Sequence, residues 1–244
     1  MRVCFYGVRG SIPTSAYGKW SRFGGNTSCV YLETERADAV FDAGTGIKYL
    51  GDDLLKTDAG RHDRTLAVFI SHFHWDHIQG FPFFRPAFDA TRTITLASGK
   101  PGIEQALSVQ QWDDFFPVPL HEMGARLTFR HTPPGPVHNI GPLKVSVLPT
   151  HHPGGAYSYR VDADGRSVVY LTDAELWPRE KVDVEQYRRH CEGADLVILD
   201  AHFAPSELEA TRGWGHSSIV SFMELLEGVD IGKVAMYHYS PEYD

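Results

Sequence analysis

The sequence predicts an α/β fold in which two β-sheets pack face to face and helices cover their outer sides. Three observations carry this expectation. Short runs rich in Val, Ile, Leu and Tyr recur along the chain, bounded by Gly, Pro, Asp or Thr. Helical periodicities alternate with them. The 244 residues suit one large unit or two small ones, and a single core can bury enough surface at this size. About ten strands and a handful of helices then imply two stacked sheets. The whole span 1–244 is expected to form one domain.

Taken in order, the strand-like segments are Val3–Tyr6, Cys29–Glu33, Ala39–Asp42, Leu66–Ile70, Thr93–Ala97, Leu143–Leu148, Tyr157–Val161, Val168–Leu171, Leu196–Leu199 and Val234–Tyr237. Helices are expected at Gly46–Leu55, Ile103–Gln110, Lys181–Arg189 and Ser217–Leu226. In the last, Ile219, Phe222, Met223 and Leu226 recur at three and four residues, one face of a helix. Two irregular stretches interrupt the pattern, Arg9–Ser28 and Trp112–Met123. Long loops in compact domains are either binding loops or covers for an apolar sheet face, and the sequence leaves both readings open.

Composition excludes several classes. No apolar run approaches the roughly 18 residues of a membrane helix. The start, MRVCFYGVRG, alternates like a strand and lacks the charged and apolar regions of a signal peptide. Cys4, Cys29 and Cys191 are widely spaced and form no CxxC pair, which suits buried thiols in a reducing cytoplasm. The net charge of −8 argues against a protein that embraces long nucleic acid, since phosphate contacts need clustered Lys and Arg. A small phosphorylated substrate at a metal centre stays possible, because ions supply the positive charge.

The 13 histidines decide the rest. His72-Phe-His74-Trp-Asp76-His77 follows directly on the strand Leu66–Ile70. Three imidazoles and a carboxylate crowded at a strand end would cost several kcal/mol of desolvation unless something binds them. A divalent ion binds both ligand types. In extended chain, side chains two apart point the same way, so His72 and His74 can grip one ion while Asp76 and His77 reach a second. A dinuclear site is expected.

At these residues the chain resembles the metallo-β-lactamase superfamily, whose signature is HxHxDH, and the resemblance covers nearly the whole sequence. It implies an αββα sandwich, two mixed sheets flanked by helices. FDAGTG, which begins in Ala39–Asp42 and runs on from it, is similar to the family's turn beside the metal loop. THHPGGAYSYR supplies the third histidine motif, its register favouring His152 over His151. YLTDAE supplies Asp173 as the bridging carboxylate, and VAMYHYSPEYD supplies His238. By this analogy His72, His74 and His152 hold one ion, Asp76, His77 and His238 the other, and Asp173 bridges. Zinc suits such a set, with manganese or iron tolerated.

Within the superfamily, GWGHSS resembles the motif before the last helix of phosphodiesterases related to the tRNA 3′-end endonucleases. It offers His216, and LVILD offers Asp200 as its partner. A histidine held by a carboxylate can stabilise charge at phosphorus and protonate a leaving alkoxide; alternatively Ser217 or Ser218 merely caps a helix. Asp76 is expected to aim the attacking water besides binding metal. The tRNA endonucleases carry a long arm between the third motif and the bridging aspartate, where this chain has only Pro153 to Thr172. GVRGSIP, FGGNTSCV and SHFHWDHIQGFPFF look instead like the small cyclic phosphodiesterases. The expected activity is hydrolysis of a small, cyclic phosphodiester or cyclic nucleotide, with no long nucleic acid and no membrane as partner. A homodimer is typical of the relatives. A thioester or lactone hydrolase, or a non-catalytic metabolite-binding protein, are the rivals. Arg9, Asn26, Phe83, Phe84, Phe115 and Phe116 are read as packing residues. His62, His121, His131, His138, His151, His190 and His202 are read as surface or supporting ones.

Overall fold

A computed structural model describes residues 1–15, 21–57, 64–178 and 182–243. The first half of the chain builds one six-stranded sheet in plain sequence order: β1 (Arg2–Gly7), β2 (Cys29–Glu33), β3 (Ala37–Phe41), β4 (Thr65–Ile70), β5 (Thr93–Ser98) and β6 (Arg126–His131). β1 to β3 are antiparallel, and β3 to β6 run parallel. The second half builds the facing sheet: β7 (His138–Ile140), β8 (Leu143–Thr150), β9 (Ala156–Ala163), β10 (Arg166–Leu171), β11 (Leu196–Asp200) and β12 (Val234–Tyr237). Here β7 to β10 are antiparallel and β10 to β12 parallel. Both sheets are therefore mixed, and helices flank them, as the sequence implies.

The strands read as unbroken apolar runs because both of their faces are buried. In β4, Leu66, Val68 and Ile70 point to a core under helices α1 (Gly46–Thr57) and α3 (Ile103–Gln110). Ala67 and Phe69 point the other way, into the layer between the sheets. β10 and β11 repeat the scheme. Tyr170 and Ile198 face the first sheet, while Val169, Leu171, Val197 and Leu199 pack under α4 (Val184–Cys191) and α5 (Ile219–Leu225). The inter-sheet layer is closed by aromatic contacts, Phe41 on Tyr170 at 5.2 Å and Phe69 on Tyr159 at 5.4 Å.

Several boundaries differ from the sequence reading. The helix expected at Lys181–Arg189 starts at Val184, because Asp183 caps it by accepting the Gln186 N–H; Lys181 and His62 lie outside the described residues. The last helix begins at Ile219, with Ser218 as its cap. Met223 is exposed rather than part of its apolar face. β6 and β7 escape the sequence reading: β6 is an edge strand with only Leu127 and Phe129 packed inward, and β7 has three residues. The one-turn helix α2 (Trp75–Ile78) inside the metal motif was also not anticipated. Of the two irregular stretches, Trp112–Met123 buries Leu120 and Met123 and sets Phe116 edge-on against Phe83. Arg9 and Phe84 are packing residues, as read.

His190 is buried behind the second sheet, where it donates from Nε2 to Ser158 Oγ, whose own hydrogen goes to the Tyr170 carbonyl. Burial, helped by the Arg160 charge, lowers its pKa to about 4. Below the ordinary histidine value of about 6.5 the unfolded chain takes up a proton that the folded one refuses, so stability falls as pH drops from there towards 4. At pH 5 the loss is on the order of 2 kcal/mol. Urea titrations at pH 7 and pH 5 should show that His190→Gln, which keeps a donor for Ser158, removes this part of the pH dependence. An unchanged pH slope in the variant would refute it.

Candidate metal centre

All seven residues expected as ligands meet at one edge of the sandwich, at the carboxyl ends of strands. His72 and His74 follow β4, and α2 then turns Asp76 and His77 back over the strand end. His152 follows β8, Asp173 follows β10 and His238 follows β12. The backbone bends sharply there: Asp42, Asp173 and His238 adopt φ of 60°, 53° and 58°, in the left-handed region. Such residues cost of order 1 kcal/mol or more each and persist where the surroundings enforce them.

Two triads form. His72, His74 and His152 offer nitrogens within 4.8 Å of one another, and so do Asp76, His77 and His238 with nitrogen and oxygen atoms. Between them stands Asp173 Oδ1, 3.8 Å from His72 Nε2, 3.8 Å from His152 Nε2, 3.5 Å from His77 Nε2 and 3.6 Å from His238 Nε2. The donors fit a pair of divalent cations. Among the described residues His72 Nε2 is buried without a hydrogen-bond partner, and a buried orphan nitrogen aimed at a carboxylate is a costly arrangement unless a cation satisfies it. An open cleft of about 380 Å³ gives access, bounded by Ser11, Trp75, Asp76, Asp173 and His216.

The ring orientations are set from behind. Asp42, fully buried, accepts from the Ser71 N–H at 2.7 Å, Ser71 Oγ at 2.8 Å, Tyr170 Oη at 2.7 Å and His77 Nδ1 at 2.7 Å. That last bond leaves His77 Nε2 as the nitrogen facing the centre. His152 donates from Nδ1 to the Gly215 carbonyl at 2.9 Å, and Thr172 donates to Asp173 Oδ2 at 2.8 Å. Glu175 accepts from the N–H groups of Gly213 and Gly215, fixing that loop. Gly215 has φ of +90°, and a Cβ there would sit 2.2 Å from His152 Nδ1, so only glycine fits. Ser11 donates its N–H to Asp76 Oδ2 at 2.8 Å, which brings the loop after β1 to the site. None of Asp42, Ser71, Thr172, Glu175 or Ser11 was singled out from the sequence. Asp42 alone had a signal, in FDAGTG.

His216 and Asp200 also meet: His216 Nδ1 donates to Asp200 Oδ2 at 2.9 Å, and lies 4.0 Å from Asp173 Oδ1. Asp200 ends β11, and its other oxygen accepts the His202 N–H at 3.0 Å. His202 stacks on His216 with centroids 4.3 Å apart, and its Nδ1 donates to the His238 carbonyl. It is thus a buried support, as expected. Burial favours a neutral His216, but Asp200, Asp173 and Asp76 outweigh it and raise the pKa to about 9. Burial likewise opposes charge on Asp76 and Asp173, yet the surrounding histidines hold both well below the usual carboxylate range. His77 is pushed well above the ordinary histidine value: the Asp76, Asp173 and Asp42 charges overcome its burial.

The model of the beta-lactamase superfamily domain matches residues 38–239, and the chain belongs to the metallo-β-lactamase superfamily. A ribonuclease Z from a Picosynechococcus species is 25% identical over 290 aligned positions, covering 100% of this chain and 86% of that one. Ribonuclease BN of Citrobacter koseri is 24% identical, covering 100% and 90%. The short form of human tRNase Z shares the fold, with a TM-score of 0.71 at 18% identity over 98% of this chain and 93% of that structure. Family, converging donors and relatives make the protein a metal-dependent phosphodiester hydrolase at the level of reaction class. They also overturn one expectation, that no long nucleic acid would be a partner: the relatives that align end to end are ribonucleases by name. Net charge sums the entire surface and is a poor guide to a cleft in which cations would meet the scissile phosphate. Among the described residues no helix is long and apolar enough to cross a membrane.

Two outcomes follow from this geometry. Asp42→Asn should lower metal affinity by roughly 10- to 100-fold, the usual effect of losing a carboxylate behind a ligating histidine, read by competition with a chromogenic chelator. Zinc must also displace the proton that the carboxylates keep on His77, so binding should release about one proton or more near neutral pH and tighten as pH rises. Calorimetry in buffers of different ionisation heat checks this; a heat independent of buffer would contradict it.

Proposed function

We propose that His72, His74 and His152 hold one divalent cation, Asp76, His77 and His238 a second, with Asp173 bridging, and that the centre hydrolyses a phosphodiester. The observation that carries the reading is the placement of Asp173 Oδ1 between both triads with the His216–Asp200 pair 4.0 Å away. Bound there, two cations would supply a water of lowered pKa and positive charge for the phosphoryl oxygens. Asp76, held by the Ser11 N–H and His238, is placed to accept a hydrogen bond from the attacking water and aim it. His216 has Nδ1 committed to Asp200, which leaves Nε2 to face the substrate. When it carries a second proton it can stabilise growing negative charge and give that proton to the leaving oxygen.

The substrate reading is a phosphodiester that enters as a single phosphate through the open cleft. Small cyclic phosphodiesters and cyclic nucleotides suit it, and the ribonuclease relatives add RNA ends. Only the β9–β10 hairpin, turning at Asp164 and Gly165 with φ of 51° and 67°, lies between His152 and Asp173. Zinc suits the imidazole-rich set best, and manganese or iron would serve.

The full chain reconstituted with zinc or manganese should cleave bis-p-nitrophenyl phosphate, and then 2′,3′- or 3′,5′-cyclic nucleotides or a tRNA precursor with a 3′ trailer. His216→Ala should keep its metal and lose about 10²-fold or more in kcat. Cleavage of a lactone or thioester with no diester turnover would favour the rival hydrolase, and near-normal kcat in His216→Ala would remove that residue from the mechanism.

A further inference from the structure

The segment that runs on from β1, Val8 to Ser11, stitches the two sheets together at the metal edge. Arg9 donates its N–H to the Asn26 carbonyl ahead of β2 at 3.0 Å. Gly10 donates to the Tyr239 carbonyl at 2.9 Å, and Tyr239, which follows β12 and His238, donates to the Val8 carbonyl at 2.9 Å. The same segment touches two of the residues assigned to the second cation. Its Ser11 N–H is bonded to Asp76 Oδ2. A Cβ on Gly10 would stand 2.4 Å from His238 Cε1 and 2.5 Å from its Nδ1, so the bare main chain is pressed against that ring.

His238 depends on this contact. His77 and His152 each commit Nδ1 to a buried acceptor behind them, Asp42 and the Gly215 carbonyl. His238 Nδ1 is buried and has no hydrogen-bond partner among the described residues. From behind, its ring is held by packing alone, against Gly10 and the rings of His202 and His216. Whatever fixes Gly10 and Ser11 therefore fixes two ligands at once.

Arg9 is in the place to do this, and packing alone does not account for it. Its side chain is buried, yet among the described residues the guanidinium meets only neutral acceptors. Nε donates to the Gly24 carbonyl at 3.0 Å and Nη2 to Ser21 Oγ at 3.1 Å. Nη1 donates to the Ser240 carbonyl at 3.4 Å and to the Tyr243 carbonyl. Burying a charge on neutral partners is unfavourable, and an apolar side chain would fill the space without that penalty. Only a planar fork with several donors can tie the loop before β2 to the chain after β12.

We propose that Arg9 is a positioning residue for the second cation, built to hold Gly10 against His238 and the Ser11 N–H on Asp76. This rests on the ligand assignment made above. Among the described residues no hydrogen bond of Arg9, Gly10 or Ser11 goes to His72, His74 or His152, so the first cation should not respond to Arg9.

The test is a zinc titration of the full chain against a chromogenic chelator. Arg9→Met should weaken one of two zinc affinities by on the order of tenfold or more, the scale of losing a support behind a ligand, and leave the other unchanged. Arg9→Lys, which keeps the charge without the fork, should show the same selective loss. So should Gly10→Ala, which drives a methyl group into the His238 ring while every Arg9 partner stays in place. These two variants carry the test if Arg9→Met folds poorly, and a general folding defect would lower both affinities together. On a His238→Ala background, where the second site already lacks a ligand, Arg9→Lys should change the remaining affinity little. Two zinc ions whose affinities fall together or not at all in Arg9→Lys, or a loss that persists undiminished on the His238→Ala background, overturn the role of Arg9 and leave the two-cation reading standing. One zinc ion or none in the unaltered protein removes that reading and the role of Arg9 with it.

Discussion

The constraint on which this structure turns is the burial of Asp42, Asp76, Asp173 and Asp200 at one edge of a sandwich. A carboxylate moved from water into protein costs several kcal/mol unless partners compensate. Asp42 is compensated entirely by the protein, through two bonds from Ser71, one from Tyr170 and one from His77. Asp200 is compensated by His216 and the His202 N–H. Asp76 and Asp173 differ: beyond one bond each, from the Ser11 N–H and the Thr172 hydroxyl, their neighbours are imidazole nitrogens that are themselves buried. The cluster balances only by taking up positive charge, as protons on rings such as His77 or as cations. Fold and reactivity therefore have the same origin.

The sandwich makes such crowding possible by ending its parallel strands together. β3, β4, β10 and β11 each deliver a polar residue just where pairing stops, and β12 delivers His238. Three of these residues sit in left-handed backbone, which the sheets on either side and the hydrogen bonds around them enforce. Strain is tolerated here because the layers behind are fully apolar. The inter-sheet core of Phe41, Phe69, Tyr159 and Tyr170 leaves the strand ends little freedom to relax.

Much of the fold was legible because buried strands leave a plain mark: the ten segments read from β-branched and aromatic runs all fall on strands, with Asp42 alone running past a strand end. β6 and β7 left none, since an edge strand needs only two inward residues and a three-residue strand needs no pattern. The metal motif was legible for the opposite reason: HFHWDH is local, and packing gives no cause for it. His152, Asp173 and His238 are single residues at separate strand ends, so they came from resemblance and not from spacing. Asp42 was read only as part of the FDAGTG turn, and Glu175 not at all. Their importance arises from what the fold brings to them, the Ser71 hydroxyl and the loop of Gly213 and Gly215, and no local pattern encodes that. The expectation about long nucleic acid failed on a different point: a summed charge was used where only the local field matters.

The centre also has a direction. On the second-sheet side stand His216, His202 and Asp200, a polar stack suited to receiving charge and delivering a proton. On the first-sheet side stand Phe73, Trp75 and Phe115, which offer mostly apolar area, with Lys100 and Gln105 beside them. Lys100 marks the boundary, its Nζ donating to the Gly154 carbonyl and lying 5.6 Å from the Phe73 ring centroid. Two unlike walls therefore flank the converging donors, and a substrate bound between them would meet a different chemistry on each side.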